Sequence, residues 1–249
     1  VNRSRAAPPP ATTGDCPRWF QPVGSAAAMS GPAPAAPRRT LSEHDSKQLL
    51  ARAGVPVARE RLVAGPAEAA AGAAEMGFTV VLKLCGDAIA HKTERDLVRL
   101  GLADAAAVAR AADELWAKRR PDDGPVALLV AEMVRGRREL IAGLVRGPSF
   151  GPCVVLGLGG ILTEALQDVV FALAPLSRAE ALRMAQGLRA SHLLTQPFRG
   201  EPAADLAALA DVLVALGRLA AERPDIASID VNPLIVPAGD RPTAVDALV

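Results

Sequence analysis

The stretch GFTVVLKLCGDAIAHKTE, residues 77–94, decides how the rest of the chain is read. Residues 79–84 are a continuous apolar run with one lysine inside it, and such a run predicts a buried strand. Strand side chains alternate in direction, so Lys83 points away from Leu82 and Leu84. An unpaired buried ammonium is costly: Lys83 either meets an anion or snorkels to water from an edge strand. The loop that follows gathers Asp87, His91, Lys92, Glu94, Arg95 and Asp96 within ten residues. Such density after a buried strand predicts a working loop, the alternative being a solvated surface run with an incidental histidine. His91 is one of three histidines, and a neutral imidazole is nucleophilic near neutral pH, as a phosphoryl acceptor must be.

Outward from this segment, helix and strand signals alternate, an α/β signature. Ser42 is placed to cap a helix with Leu49, Leu50 and Ala53 on one face, and Gly54 stands where its C′ residue belongs. Residues 55–57 lead into a short strand, and Pro66 opens an Ala-rich helix that ends at Gly77. Further helices are expected at 103–120, 178–187 and 203–222. Strands are expected at 126–133, 139–145, 153–158, 226–236 and 243–248. Residues 1–39 are Pro, Ala, Gly and Ser with almost no hydrophobic periodicity and are set aside as an extension that does not fold, or as residues preceding a true start at Met29.

The 249 residues are half hydrophobic, enough for one substantial core or two smaller ones. A net charge of +1 with mixed signs leaves no basic stripe for nucleic acid or a membrane surface. No apolar run approaches the roughly 20 residues of a membrane helix. Cys16, Cys85 and Cys153 suit neither a disulfide framework nor a zinc site, which points to a reducing, cytoplasmic setting. Of 28 basic residues only four are lysines, at 47, 83, 92 and 118. Two of the four fall in the loop-bearing stretch, where a compact ammonium is wanted rather than any cation.

Other residues offer polar chemistry. Gly157-Leu158-Gly159-Gly160 follows a strand, and glycines there let backbone amides approach a phosphate or simply make a tight turn. Glu132 ends one predicted strand and Glu139 opens the next; strand-end carboxylates take ribose or amine hydrogen bonds, or sit solvated in turns. Asp230 and Asn232 share a face of a terminal strand, and with Asp246 on its neighbour they offer hard oxygens suited to Mg²⁺, unless Asn232-Pro233 is an Asx-turn.

The order of these features resembles the ATP-grasp domain of the NDP-forming acyl-CoA synthetases, relatives of the succinyl-CoA synthetase β subunit. The similar stretches are SKQLLARAGVPV, GFTVVLKLCGDAIAHKTE, VAEMVRGRRELIAGLVRGPSFGP, VVLGLGGILTEALQDVVFALAPL, SIDVNPLIV and AVDALV. The resemblance implies an α+β ATP-grasp fold over residues 40–249, with α/β subdomains at about 40–130 and 131–249 and the nucleotide between them. It implies that Lys83 holds the α- and β-phosphates of ATP, that Glu132, Met133 and Val134 meet the adenine edge, and that Glu139 takes the ribose hydroxyls. Gly159 and Gly160 belong to the nucleotide site, Asn232 and Asp246 hold Mg²⁺, His91 receives the phosphoryl group and Asp230 orients it. The reaction implied is carboxylate + CoA + ATP = acyl-CoA + ADP + phosphate, with a separate CoA-binding α-type chain that carries the primary phosphohistidine and meets the small carboxylate. The alternative is an ATP-grasp module that senses nucleotide without turnover. Arg95-Asp96-Leu97 stand where the family has a Gly-Gly turn, Gly147 stands where it has Asp, and residues 196–200 keep only the Arg-Gly of their motif.

Overall fold

A computed structural model describes residues 39–89, 92, 94–147, 149–160 and 167–249. The first helix, α1 (Glu43–Arg52), is capped by Ser42, whose hydroxyl accepts from the Asp45 N–H, and Gly54 follows in the left-handed conformation at φ +92°. Next come β1 (Glu60–Val63), α2 (Pro66–Met76), β2 (Val80–Cys85), β3 (Val98–Leu102) and α3 (Ala105–Ala117), then β4 (Ala127–Glu132). These strands form a four-stranded sheet in the order β1-β4-β2-β3. Its core joins Val80, Leu82 and Leu84 of β2 to Leu128 and Val130 of β4, and to Ala69, Ala73, Val108, Ala112 and Leu115 of α2 and α3. β4 runs to Glu132, so this sheet continues just past residue 130.

The second half contributes β5 (Arg138–Gly147), β6 (Gly151–Leu158), β7 (Val169–Leu173), α4 (Arg178–Gly187), α5 (His192–Thr195), α6 (Leu206–Glu222), β8 (Ser228–Val236), β9 (Thr243–Ala244) and β10 (Ala247–Leu248). Here the order is β10-β8-β5-β6-β7, with β9 also paired to β8. The expected strand at 243–248 is thus two short strands, interrupted at Val245 and Asp246. Every ladder between named strands is antiparallel. The helix–strand alternation therefore does not signal parallel crossovers; the fold is α+β. α4 and α6 cover one face of the larger sheet, where Leu209, Leu213 and Leu216 meet Leu140, Ala142, Leu144, Val154 and Leu156.

Buried polar contacts fix the loops around this frame. Arg138, nearly buried at the start of β5, donates to the carbonyls of Leu193, Gln196 and Pro202 and pairs with Glu201. That anchor holds the turn at Arg199 and Gly200, both at positive φ, within the segment whose motif is altered. Among the described residues no helix is long and apolar enough to cross a membrane.

Candidate active site

Lys83 lies on an inner strand, between β4 and β3, and is 7 % exposed. Snorkelling from an edge is therefore ruled out, and the ammonium is paired inside the protein. Its Nζ donates to Glu43 Oε1 at 2.6 Å, to Asp246 Oδ2 at 3.1 Å and to the Val245 carbonyl at 3.2 Å. Burial alone would lower the Lys83 pKa; the Asp246 and Glu43 carboxylates outweigh it and hold the group above its ordinary value. A charged ammonium thus stands where the strand of the first sheet meets the interruption between β9 and β10 of the second.

Glu43 is the residue the sequence reading missed. It opens α1 and is fully buried. Lys47 lies one turn on, and its Nζ donates to Glu43 Oε1 at 2.8 Å while also pairing with Glu60. Lys92 brings a third ammonium, 3.0 Å from Glu43 Oε2 but without hydrogen-bond alignment. Burial pushes the Glu43 pKa up, but Lys83, Lys47 and Lys92 together overcome that and bring it to about 2. The cluster ends at half-buried His44, whose Nδ1 lies 2.7 Å from Glu60 Oε1. Two sequence signals could have located Glu43: its four-residue spacing from Lys47, and the scarcity of lysine. Three of the four lysines in the chain, Lys47, Lys83 and Lys92, converge on it.

Asn232 and Asp246 are brought together by the β8–β10 ladder. Ala247 pairs with Val231 and Leu248 with Asp230, and the Asn232 N–H donates to the Asp246 carbonyl at 3.3 Å. Asn232 is exposed and the Asp246 side chain is 35 % exposed, on the face shared with half-buried Asp230. An amide oxygen and a carboxylate are hard donors that fit Mg²⁺, which commonly keeps its remaining positions for phosphate and water. Among the described residues no group of three or more His, Cys, Asp or Glu could hold a metal. The donor set therefore suits a dication shared with a ligand, not a closed protein cage.

The remaining expected contacts divide. Glu139 is exposed, with its carboxylate beside Gly160. Gly159 is a glycine for another reason than an open amide: its N–H donates to the Glu139 carbonyl at 2.7 Å, and a Cβ there would stand 2.9 Å from the Glu139 carbonyl carbon. That amide is committed to the strand pair and does not face a phosphate. The Glu132 carboxylate is likewise engaged, accepting from the Arg59 N–H and Nε at 2.8 and 2.7 Å, and the Met133 N–H donates to the Thr79 carbonyl. Val134 follows, half-buried. His91 and residues 161–166 lie outside the described residues.

The substituted loop is closed by other means. Asp96 adopts φ +53°, a conformation that favours glycine, and its carboxylate pairs with Arg99 and Lys118. Arg95 binds Asp123 bidentately at 2.6 and 3.0 Å, and Leu97 is buried. The Leu97 N–H donates to the Lys92 carbonyl at 2.9 Å, fixing the backbone from which Lys92 reaches Glu43.

Residues 32–249 match the family described as an ATP-grasp domain. The chain belongs to the ATP-grasp family. This ATP-grasp domain is 35 % identical over 215 residues to the β subunit of the ADP-forming acetate–CoA ligase I of Pyrococcus furiosus, spanning 85 % of this chain and 92 % of that subunit. It is 34 % identical over 202 residues to the ADP-forming 4-hydroxybutyrate–CoA ligase of Nitrosopumilus maritimus, covering 80 % of this chain but 29 % of that longer protein. Among solved structures it is similar to acetyl-coenzyme A synthetase 1 of Ca. Korarchaeum cryptofilum in complex with coenzyme A and Ca-AMPCP. The TM-score is 0.79 at 36 % identity, over 85 % of this chain and 93 % of that one. The same enzyme solved with Mg-AMPPCP gives 0.73 at 37 % identity. The ATP-grasp fold is therefore shown twice, by sequence and by shape, and its relatives are ADP-forming CoA ligases.

Proposed function

We propose that this chain is the ATP-binding subunit of a cytoplasmic ADP-forming acyl-CoA synthetase, completed by a separate CoA-binding chain. The observation that carries the reading is the Lys83–Asp246 contact, an ammonium of one sheet against a carboxylate of the other, with Asn232 beside it. A phosphate and a dication are the ligands such a junction takes: the ammonium matches phosphate oxygens, and the two hard oxygens match Mg²⁺. Mg²⁺ supplies neutralisation of phosphate charge when bound.

In this reading Lys83 exchanges its Asp246 contact for the α- and β-phosphates of ATP and keeps Glu43. Glu139 takes the ribose hydroxyls, and the backbone of the Glu132-Met133-Val134 linker meets the adenine edge. Gly160 lines the ribose end beside Glu139. The imidazole of His91 attacks the γ-phosphorus; an N–P bond forms, the bond to the bridging oxygen breaks, and ADP departs with that electron pair. The Asp230 carboxylate holds the imidazole in the tautomer that presents its lone pair. The partner chain then carries the phosphoryl group to the carboxylate substrate; the CoA thiol attacks the acyl carbon of the resulting acyl phosphate, the thioester forms and inorganic phosphate leaves. The cost of burying Lys83, Lys92 and Glu43 together is consistent with a site prepared for this charge.

The reading is tested by incubating the chain with γ-labelled ATP and Mg²⁺, with and without cell extract that supplies a CoA-binding partner. Label on the wild type and none on His91→Asn is the expected result. A second reading, a nucleotide-sensing module without turnover, is favoured by the Arg95-Asp96-Leu97 loop; ATP binding with no label under either condition would establish it instead.

A further inference from the structure

Lys92 touches no part of the nucleotide in that reading and Glu43 enters it only as the carboxylate that Lys83 keeps, yet the burial of both demands more. Glu43 is fully buried, Lys92 is 7 % exposed, and each sits within one contact of Lys83. The charges of the cluster balance only through Asp246: the ammonium ions of Lys47, Lys83 and Lys92 face the carboxylates of Glu43, Glu60 and Asp246. Glu60 and Lys47 lie deeper, both nearly inaccessible, and satisfy each other. At the outer end Lys83 and Lys92 share the single carboxylate of Glu43, one on each oxygen. If Asp246 turns to a dication, the outer end is left with two ammonium ions and one carboxylate. A surplus positive charge held in a buried place is stable only when an anion completes it.

We infer that Lys92 is a second phosphate-binding cation, and that Glu43 is the positioning residue that holds Lys83 and Lys92 side by side as a clamp for a polyphosphate. Two ammonium ions this close repel one another, and the carboxylate between them is what keeps both in place. Glu43 is itself fixed from behind by Lys47 and from below by the Ser42 cap, so the pair is presented by a rigid helix end. The Lys92 ammonium lies 3.0 Å from Glu43 Oε2, an ion pair on the carboxylate oxygen that Lys83 does not use. The loop closure from the Leu97 N–H to the Lys92 carbonyl keeps its backbone in register with β2. The inference rests on the nucleotide reading and deepens it.

The test measures binding, apart from turnover, by calorimetry with MgATP, MgADP and adenosine, and by competition with inorganic tripolyphosphate. Lys92→Met leaves Glu43 with two ammonium partners and is expected to fold. It should weaken MgATP and MgADP about 10- to 100-fold, the size of a lost charge-assisted contact, with adenosine within about twofold of wild type. Tripolyphosphate should compete for the wild type and far less for this variant. Glu43→Gln should lower the ratio of MgATP to adenosine affinity about tenfold, a selectivity that a merely structural residue would not move. Lys118→Met, which removes the lysine outside the cluster, should bind as wild type. Equal MgATP and tripolyphosphate binding by wild type and Lys92→Met would overturn the clamp while leaving the nucleotide reading intact. No saturable MgATP binding by the wild type would overturn the nucleotide reading and the clamp with it. If Glu43→Gln does not fold, the Lys92→Met comparison decides alone.

Discussion

Glu43 is a carboxylate whose burial among ammonium ions ties its charge to stability in acid. Its ordinary pKa of 4.5 falls to about 2, because the surrounding Lys83, Lys47 and Lys92 charges exceed the burial penalty. A depressed carboxylate contributes stability that is complete above the unfolded pKa and lost as pH falls through the folded one. The window is therefore about pH 4.5 down to 2, and the contribution is on the order of 3 kcal/mol. Against the effect of burial, Lys83 is held above its ordinary value of 10.5 by the Asp246 and Glu43 carboxylates; it acts in the opposite sense, its share present below that value and lost at higher pH. Urea titrations at pH 6 and pH 3 should show a steeper acid loss for wild type than for Glu43→Gln; equal slopes would remove Glu43 from the account. Asp96 makes a second case at this scale. At φ +53° its backbone suits glycine, and its pairs with Arg99 and Lys118 are what hold an aspartate there. Asp96→Val, β-branched and without those pairs, should melt well below Asp96→Gly, because only the glycine relieves the conformation. The reverse order in thermal melts would show that the ion pairs alone set the loop.

At the scale of elements, the position of Asp230 depends on how closely β5 and β8 approach. Gly143 pairs with Asp230, and a Cβ at Gly143 would lie 2.3 Å from the Ile229 carbonyl oxygen, a backbone atom that cannot turn aside. Gly143→Ala should force these strands apart and cost about 1–3 kcal/mol or more. Unchanged stability by denaturant titration would mean that the ladder flexes freely. Elements with local signals were legible in the sequence. Ser177 with Glu180 forms a capping box, and α4 begins and ends where periodicity placed it; Pro66 and Gly77 bracket α2. β3 and β7 went unread because they are edge strands of mixed exposure: Leu100, Phe171 and Leu173 face outward and break the apolar alternation that marks a strand. The same division holds for the site. Lys83, Asn232 and Asp246 sit in strand patterns that announce an ammonium or a hard oxygen. Glu43 is a first-turn acid of α1 whose partner Lys83 lies forty residues on, so no local pattern links the two. Gly159 was legible as a required glycine but not for its reason, the Glu139 backbone pressed against it.

The whole molecule turns on α1, which belongs to one core and serves the other. Leu50 anchors it in the core of the larger sheet, while Glu43 and Lys47 reach Lys83 of the smaller. The Lys83–Asp246 contact and the two hydrogen bonds donated to the Val245 carbonyl by the Lys47 and Lys83 ammonium groups join the sheets at the same place. A ligand that engages Lys83 together with Asn232 and Asp246 must therefore tie both cores into one unfolding unit. Binding to the native state alone adds about 3 kcal/mol at a hundred times the dissociation constant. MgATP should accordingly raise the melting temperature of the wild type in a single transition, and slow amide exchange in both β2 and β10. Lys83→Met keeps the apolar strand but removes the shared cation, so its melting temperature should respond little to MgATP. Asp246→Asn should keep a response to ATP that no longer depends on Mg²⁺. An ATP-induced shift of equal size in Lys83→Met and wild type would place the nucleotide elsewhere, because no ligand bound through this junction could ignore the loss of its central charge.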